Sequence, residues 1–167
     1  MKQDYFPDDV KDLLSIFYIH KVQYVIVGGD AVIYYGFARL TGDTDIFYSS
    51  EIKNIKRLFK ALRDFWNGQI PGIENEEELR KPGIVIQFGV PPNRIDLINQ
   101  IEGVTFEEVW MNRIEEKIRH KDTDVPVYII GVDELISNKK SIRRPKDRED
   151  LKYLLKLKTH TQSRNRQ

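Results

Sequence analysis

Apolar residues recur every three or four positions over residues 7–20, with Leu13, Leu14, Phe17 and Tyr18 on one side, and that period predicts a helix. Asp8 and Asp9 fall in its first turn, where carboxylates offset the helix dipole. The period then changes. Residues 24–27 form a short β-branched run that stops at Gly28-Gly29, the pattern of a buried strand entering a tight turn. A short helix over 30–37 and a strand over 43–48 follow. Ser50 is the expected N-cap of a helix over 51–66, in which Ile52, Ile55, Leu58, Phe59 and Leu62 share a face.

Beyond that helix, residues 67–82 hold two prolines and two glycines around the acidic run at Glu74 to Glu78, and read as a surface excursion. Strands over 83–90 and 94–99 flank Pro91-Pro92-Asn93, which predicts a hairpin. Residues 106–111 read as a helical turn and 125–130 as a strand, while 113–120 fit neither template. Helices over 132–142 and 146–158 close the chain, broken at Pro145, and the polar tail 159–167 is expected to fray. The class is α+β, a small mixed β-sheet flanked by helices, in one domain over 1–158.

Composition narrows the chemistry. The chain has 167 residues and no cysteine, which removes a disulfide scaffold, a thiolate zinc site and a cysteine nucleophile together. Lysine plus arginine total 27 against 26 acids, so the whole chain is not a strongly basic nucleic-acid binder. No run approaches the ~18 apolar residues of a membrane span. The first ten residues, MKQDYFPDDV, show neither a basic start nor an apolar stretch. A cytoplasmic location without membrane contact is the expectation.

Asp43 and Asp45 stand two apart on a predicted strand, so alternation puts both side chains on one face. Paired carboxylates repel unless a cation lies between them. Asp96 sits inside the apolar run Ile95-Asp96-Leu97-Ile98, where an ionised group needs a partner or a metal; Arg94 and Arg39 are the candidate partners. Three acids on neighbouring strands are hard oxygen ligands suited to Mg²⁺ and to two-metal phosphoryl chemistry. Upstream, the strand–Gly28-Gly29–helix turn brings backbone N–H groups close to an anion, although a double glycine after a strand is more often a plain turn.

Their joint spacing singles these features out. VGGDAVIYYGFARLTGDTDI, Val27 to Ile46, resembles the signature of the polymerase-β-type nucleotidyltransferase superfamily, an apolar residue with Gly-Gly or Gly-Ser followed by acid–apolar–acid. Thirteen residues separate Gly29 from Asp43, and Thr44 takes the middle position. Tyr35-Gly36, Arg39 and Thr41 are similar to minimal bacterial members, including the branch found in abortive-infection and toxin–antitoxin systems. The likeness continues through RIDLI, GVTFEEVW and LISNKKSIRRPKDREDL, and so spans Tyr24 to Leu155.

The resemblance implies a polymerase-β-like fold and transfer of a nucleoside monophosphate from an NTP, ATP among the candidates, to a hydroxyl with release of pyrophosphate. Asp43, Asp45 and Asp96 would hold two Mg²⁺ ions, with Mn²⁺ a possible substitute, and Asp96 would help deprotonate the acceptor. Gly28, Gly29, Arg39, Thr41, Lys139 and Arg144 would bind the nucleotide. The acceptor would be a macromolecule, RNA (tRNA included) or protein, and a separate partner protein is a further expectation. Two positions depart from the pattern: Gly29 stands where a serine hydroxyl is common, and Asp30 puts an acid beside the phosphate cradle.

Other readings keep some weight. Asp147 and Asp150 match a second cluster of the family, yet acids in a first turn after Pro145 also serve as caps. Residues 139–148 carry six bases and one acid, either a solvated face or a surface for a polyanion. The alternative function is a non-catalytic, antitoxin-like or regulatory module of the same fold. A metal-dependent phosphodiesterase is disfavoured because His20, His120 and His160 lie away from the acids and read as surface residues. Trp66 and Trp110 read as core or groove edges.

Overall fold

The computed structural model describes residues 5–164. Its centre is a six-stranded sheet, ordered β3-β4-β2-β1-β6-β5, built from β1 (Tyr24–Ile26), β2 (Asp43–Tyr48), β3 (Val85–Phe88), β4 (Arg94–Ile98), β5 (Ile114–His120) and β6 (Thr123–Ile129). The sheet is mixed: β2 runs parallel to β4 and β1 to β6, and the remaining pairs are antiparallel. Among the described residues six helices surround it: α1 (Asp8–Ile19), α2 (Gly28–Tyr34), α3 (Ile52–Phe65), α4 (Phe106–Met111), α5 (Val132–Ser141) and α6 (Pro145–Arg164). The α+β class with a mixed sheet is therefore the observed one.

Register decides what each face of the sheet carries. Asp45 lies opposite Asp96, which lies opposite Gln87, and Asp43 lies opposite Arg94, so these side chains share one face. Thr44, Ile95 and Phe88 are partners on the other. That second face is apolar and carries α1 and α3: Phe17 meets Tyr24 edge-on at 5.4 Å, and Trp66 tilts against Phe88 at 5.3 Å. The first face is covered only in part, where Phe106 of α4 meets Phe47 at 5.2 Å. The rest of it is open and polar.

Several local features differ from the sequence reading. Ser50 does not cap α3: the helix begins after Glu51 with no side-chain cap, and the Ser49 hydroxyl accepts from the Glu51 N–H. Residues 67–82 are not merely superficial, because Ile70, Ile73 and Leu79 are buried, a 3₁₀ turn forms over Glu76–Arg80, and the Tyr48 hydroxyl donates to the Leu79 carbonyl. Within the unassigned stretch 113–120, Ile114–His120 form β5, an edge strand whose exposed residues include Glu115, Lys117 and Arg119. His120 is not a surface residue: it is buried at the end of β5, with Nε2 2.8 Å from Asp12 of α1. His20 is partly covered and bonded to Asp64, and His160 lies outside the residues whose side chains are described. Trp66 and Trp110 pack half-buried against the core, as expected. Helix α6 runs on to Arg164, and 165–167 of the polar tail lie outside the described residues. No described helix is long and apolar enough to cross a membrane.

Candidate active site

The open face of the sheet holds a cleft of about 870 Å³. Asp43 and Asp45 reach it from β2 and Asp96 from the neighbouring β4, each offering one carboxylate oxygen within 4.8 Å of the others. Parallel pairing of β2 with β4 in this register is what converts two distant sequence signals into one cluster. Arg94 stands among them: Nη2 donates to Asp43 Oδ2 at 2.5 Å, and Nε and Nη2 donate to Asp96 at 2.8 and 3.0 Å. Gln87 Nε2 donates to Asp96 Oδ2 at 3.1 Å. Of the two partners considered for Asp96, Arg94 is the actual one.

Asp45 has no such relief. Burial first, then the charges of Asp43, Asp96 and Asp30, push its carboxyl up to about 7. Three carboxylates against one guanidinium leave this corner formally at −2. Hard oxygen donors, close mutual spacing and an uncompensated negative charge are the properties of a divalent-cation site, so the residues present fit a metal.

The double glycine is explained by what leans on it. A Cβ on Gly28 would fall 1.8 Å from Asp45 Oδ2, and the residue holds φ +61°, a left-handed conformation open to glycine. A Cβ on Gly29 would meet Thr41 Oγ1 at 2.6 Å and Arg39 Nη2 at 2.8 Å. Both glycines thus let charged and hydroxyl groups close against the start of α2. Helix α2 begins at Gly28, two residues earlier than the pattern suggested. Thr41 sits behind Gly29 and donates to the Asp43 carbonyl at 3.0 Å and to its carboxylate at 3.2 Å, which orients that acid.

Asp30 neither caps α2 nor lines the cleft. It is buried, accepts from the Tyr5 hydroxyl at 2.7 Å, and is pushed up to about 6 mainly by burial. The Tyr5 hydroxyl and then that of Thr44 on β2 favour the charged form in return.

A chain of charges crosses the same cleft. Arg39 Nε lies 3.2 Å from Asp150, and Lys139 Nζ lies 2.9 Å from Asp150 and 2.5 Å from Asp147. Arg144 Nε donates to Asp147 at 2.6 Å. Asp147 and Asp150 are both buried; at Asp147 burial raises the cost of ionisation, but the bonds from Lys139 and Arg144 outweigh it and hold that carboxyl below its ordinary range. These acids are not simple first-turn caps. They hold Arg39, Lys139 and Arg144 beside the carboxylates of β2 and β4.

Eight of the nine residues expected to serve the site, Gly28, Gly29, Arg39, Asp43, Asp45, Asp96, Lys139 and Arg144, line the cleft, and Thr41 stands behind it. The sequence reading missed Gln87, although the hairpin register places it opposite Asp96, and it missed the contact of Arg39 with Asp150, for which no local signal exists.

The mixed sheet gathers three carboxylates from adjacent parallel strands, with a double glycine packed against one of them, as the resemblance of the sequence implies. The chain belongs to the family described as nucleotidyltransferases of unknown function (DUF6036), whose model matches residues 9–157. No curated protein matches it.

Proposed function

We propose that this nucleotidyltransferase is a Mg²⁺-dependent enzyme that moves a nucleoside monophosphate from an NTP to the hydroxyl of a macromolecule. The observation that carries the reading is the carboxylate cluster of Asp43, Asp45 and Asp96 in one cleft with Arg39, Lys139 and Arg144. Asp43, Asp45 and Asp96 would hold the metal. When bound, Mg²⁺ supplies charge neutralisation of the triphosphate and acidifies the attacking hydroxyl. Arg39, Lys139 and Arg144 offer positive charge to the phosphates, and the turn at Gly28 and Gly29 lets them approach the backbone.

In the transfer, the acceptor oxygen forms a bond to the α-phosphorus and the bond from that phosphorus to the bridging oxygen breaks, so pyrophosphate leaves with the electron pair. A carboxylate oxygen of Asp96 takes the hydroxyl proton. For this, Arg94 must release that oxygen and keep its bond to Asp43. Acceptor choice falls to the basic segment 139–148, where Lys146 also lines the cleft, and an RNA fits its charge. A link to the abortive-infection and toxin–antitoxin branch belongs to the same reading, with a partner protein as regulator.

One observation favours a second reading. The guanidinium of Arg94 already bridges Asp43 and Asp96 and thereby supplies a cation to two of the three acids, which suits a non-catalytic module without a metal. Calorimetric titration of each NTP, with Mg²⁺ and with EDTA, separates the two. The enzyme reading expects metal-dependent binding of one or more NTPs that disappears in Asp43→Asn. Absence of binding for all four would remove it and put the regulatory module first.

A further inference from the structure

On the side of the sheet away from the carboxylates, α3 presents a row of cations that the transfer chemistry does not use. Lys53, Lys56, Arg57, Lys60 and Arg63 are all exposed, while Ile55, Leu58, Ala61 and Leu62 of the same helix face the core. Ten residues of helix place Lys53 and Arg63 about 15 Å apart. Elsewhere Arg39, Arg94, Lys139 and Arg144 are tied to carboxylates; among the described residues none of the five cations on α3 is. Arg57 and Arg63 bond only backbone carbonyls, those of Lys21 and Gly68. The sole acid of the helix, Asp64, is engaged by His20 at 2.6 Å. A sequence with balanced charge thus concentrates unpaired positive charge on one helix face.

At the C-terminal end of this row the surface opens into a cavity of about 710 Å³ between α3 and the loop that follows it. Phe59 and Arg63 form one wall and Ile70, Pro71 and Ile73 the other, with Glu74 at the edge. Arg63 and Gly68 also border a second hollow lined by His20 and Lys60, so the cavity is continuous with the basic row. An aromatic ring and a guanidinium beside an apolar wall suit the flat face of a base, and evenly placed cations suit the phosphates that lead to it.

We infer that α3 and the cavity at its end form a second binding surface, for single-stranded nucleic acid, with the backbone along Lys53, Lys56 and Lys60 and an unstacked base in the cavity against Phe59 and Arg63. A membrane is a poorer fit because the row lacks apolar residues beside the cations to enter a bilayer; Ile52 alone is large, apolar and exposed on this helix. An acidic polypeptide would satisfy the charges but makes less use of an aromatic ring and an apolar wall, and Glu74 at the edge would repel it.

The test is fluorescence anisotropy with a labelled twelve-nucleotide oligo(U), without NTP or metal, on the full chain. Replacing Lys53, Lys56 and Lys60 by Gln removes three cations from water-facing positions and should leave the circular dichroism spectrum unchanged. Affinity should fall by at least roughly tenfold, and the slope of log K against log salt should shrink by about 2. Phe59→Leu keeps the charges, so it should weaken binding by roughly fivefold with the salt slope intact. Oligo(dT) in parallel decides between RNA and DNA, and either preference supports the surface. Unchanged affinity in the triple variant overturns the inference, as does loss of binding only in Lys140→Gln/Arg143→Gln, or polyglutamate binding as tightly as oligo(U). Since no NTP is present, failure here leaves the nucleotide titration untouched, and failure of that titration leaves this surface standing.

Discussion

The two faces of the sheet are made by alternate residues of the same strands, yet they have opposite chemistry. On β2 and β4, Thr44, Ile46, Ile95 and Leu97 turn towards α1 and α3 and are buried. Asp43, Asp45 and Asp96 turn the other way into an open cleft. One face lowers the free energy of the fold by removing apolar surface from water. The other carries carboxylates at a cost: burial first, then the neighbouring acids, raises the Asp45 carboxyl. A strand can carry both because its period is two. The comparison teaches that neighbouring positions in this chain belong to different problems, one of stability and one of binding, and substitutions one residue apart should separate them.

The largest separation is expected between Asp96→Asn and Leu97→Ala. Asp96→Asn should reduce nucleotidyl transfer by at least about 10²-fold, the size of losing one electrostatic contact in a preorganised site. Its urea midpoint should stay close to that of the parent, since Arg94 keeps Asp43 and the bonds lost at Asp96 are offset by relief of the repulsion on Asp45. Leu97 is fully buried on the opposite face, and Leu97→Ala should cost about 2–5 kcal/mol of stability. Once folded, that variant should bind NTP as the parent does. Reversal of these outcomes, with a destabilised Asp96→Asn or a stable but inactive Leu97→Ala, would break the division of labour between the faces.

Asp147→Asn tests the boundary between the two roles. It removes a buried anion that bonds both Lys139 and Arg144. Lys139 keeps Asp150 at 2.9 Å, so the loss should stay near the low end for a broken buried pair, about 3 kcal/mol. NTP binding should weaken as well, because the two cations are freed from their positions in the cleft. A variant with lower stability and unchanged NTP affinity would make the network purely structural.

What the sequence made legible follows the same division. Acid–apolar–acid on a strand announces itself through alternation, and Asp96 stands out because its neighbours Ile95, Leu97 and Ile98 are apolar. The double glycine was visible as a turn, but the reason for it, the Asp45 carboxylate and Arg39 pressed against it, requires the fold. β5 was hidden because only Ile118 and His120 of its seven residues are buried, so an edge strand reads as a charged loop. Arg39 and Asp150 meet across the chain with no periodic trace in either segment. Residues 67–82 were read by their prolines and glycines, which mark turns correctly but say nothing of Ile70, Ile73 and Leu79 inserting between them.

The smallest expected effect lies at the edge of the apolar face, where α1 meets the β5–β6 turn. Asp12 receives hydrogen bonds from Lys121 at 2.5 Å and from His120 at 2.8 Å, and the bond from Lys121 first, then that from His120, holds its carboxyl below the ordinary aspartate value. The folded form therefore binds the proton less readily than the unfolded chain. The contribution to stability is fully present above the unfolded value of 3.8 and is lost as pH falls through the lower folded value. Because Asp12 is 39% exposed, solvent screens the pair and the contribution should stay below about 1 kcal/mol. Urea midpoints measured from pH 5 down to pH 2.5 should decline less steeply in Asp12→Asn than in the parent, with no change in NTP binding at neutral pH. Parallel declines would mean that the contact joining α1 to the end of β5 rests on the packing of His120 rather than on charge.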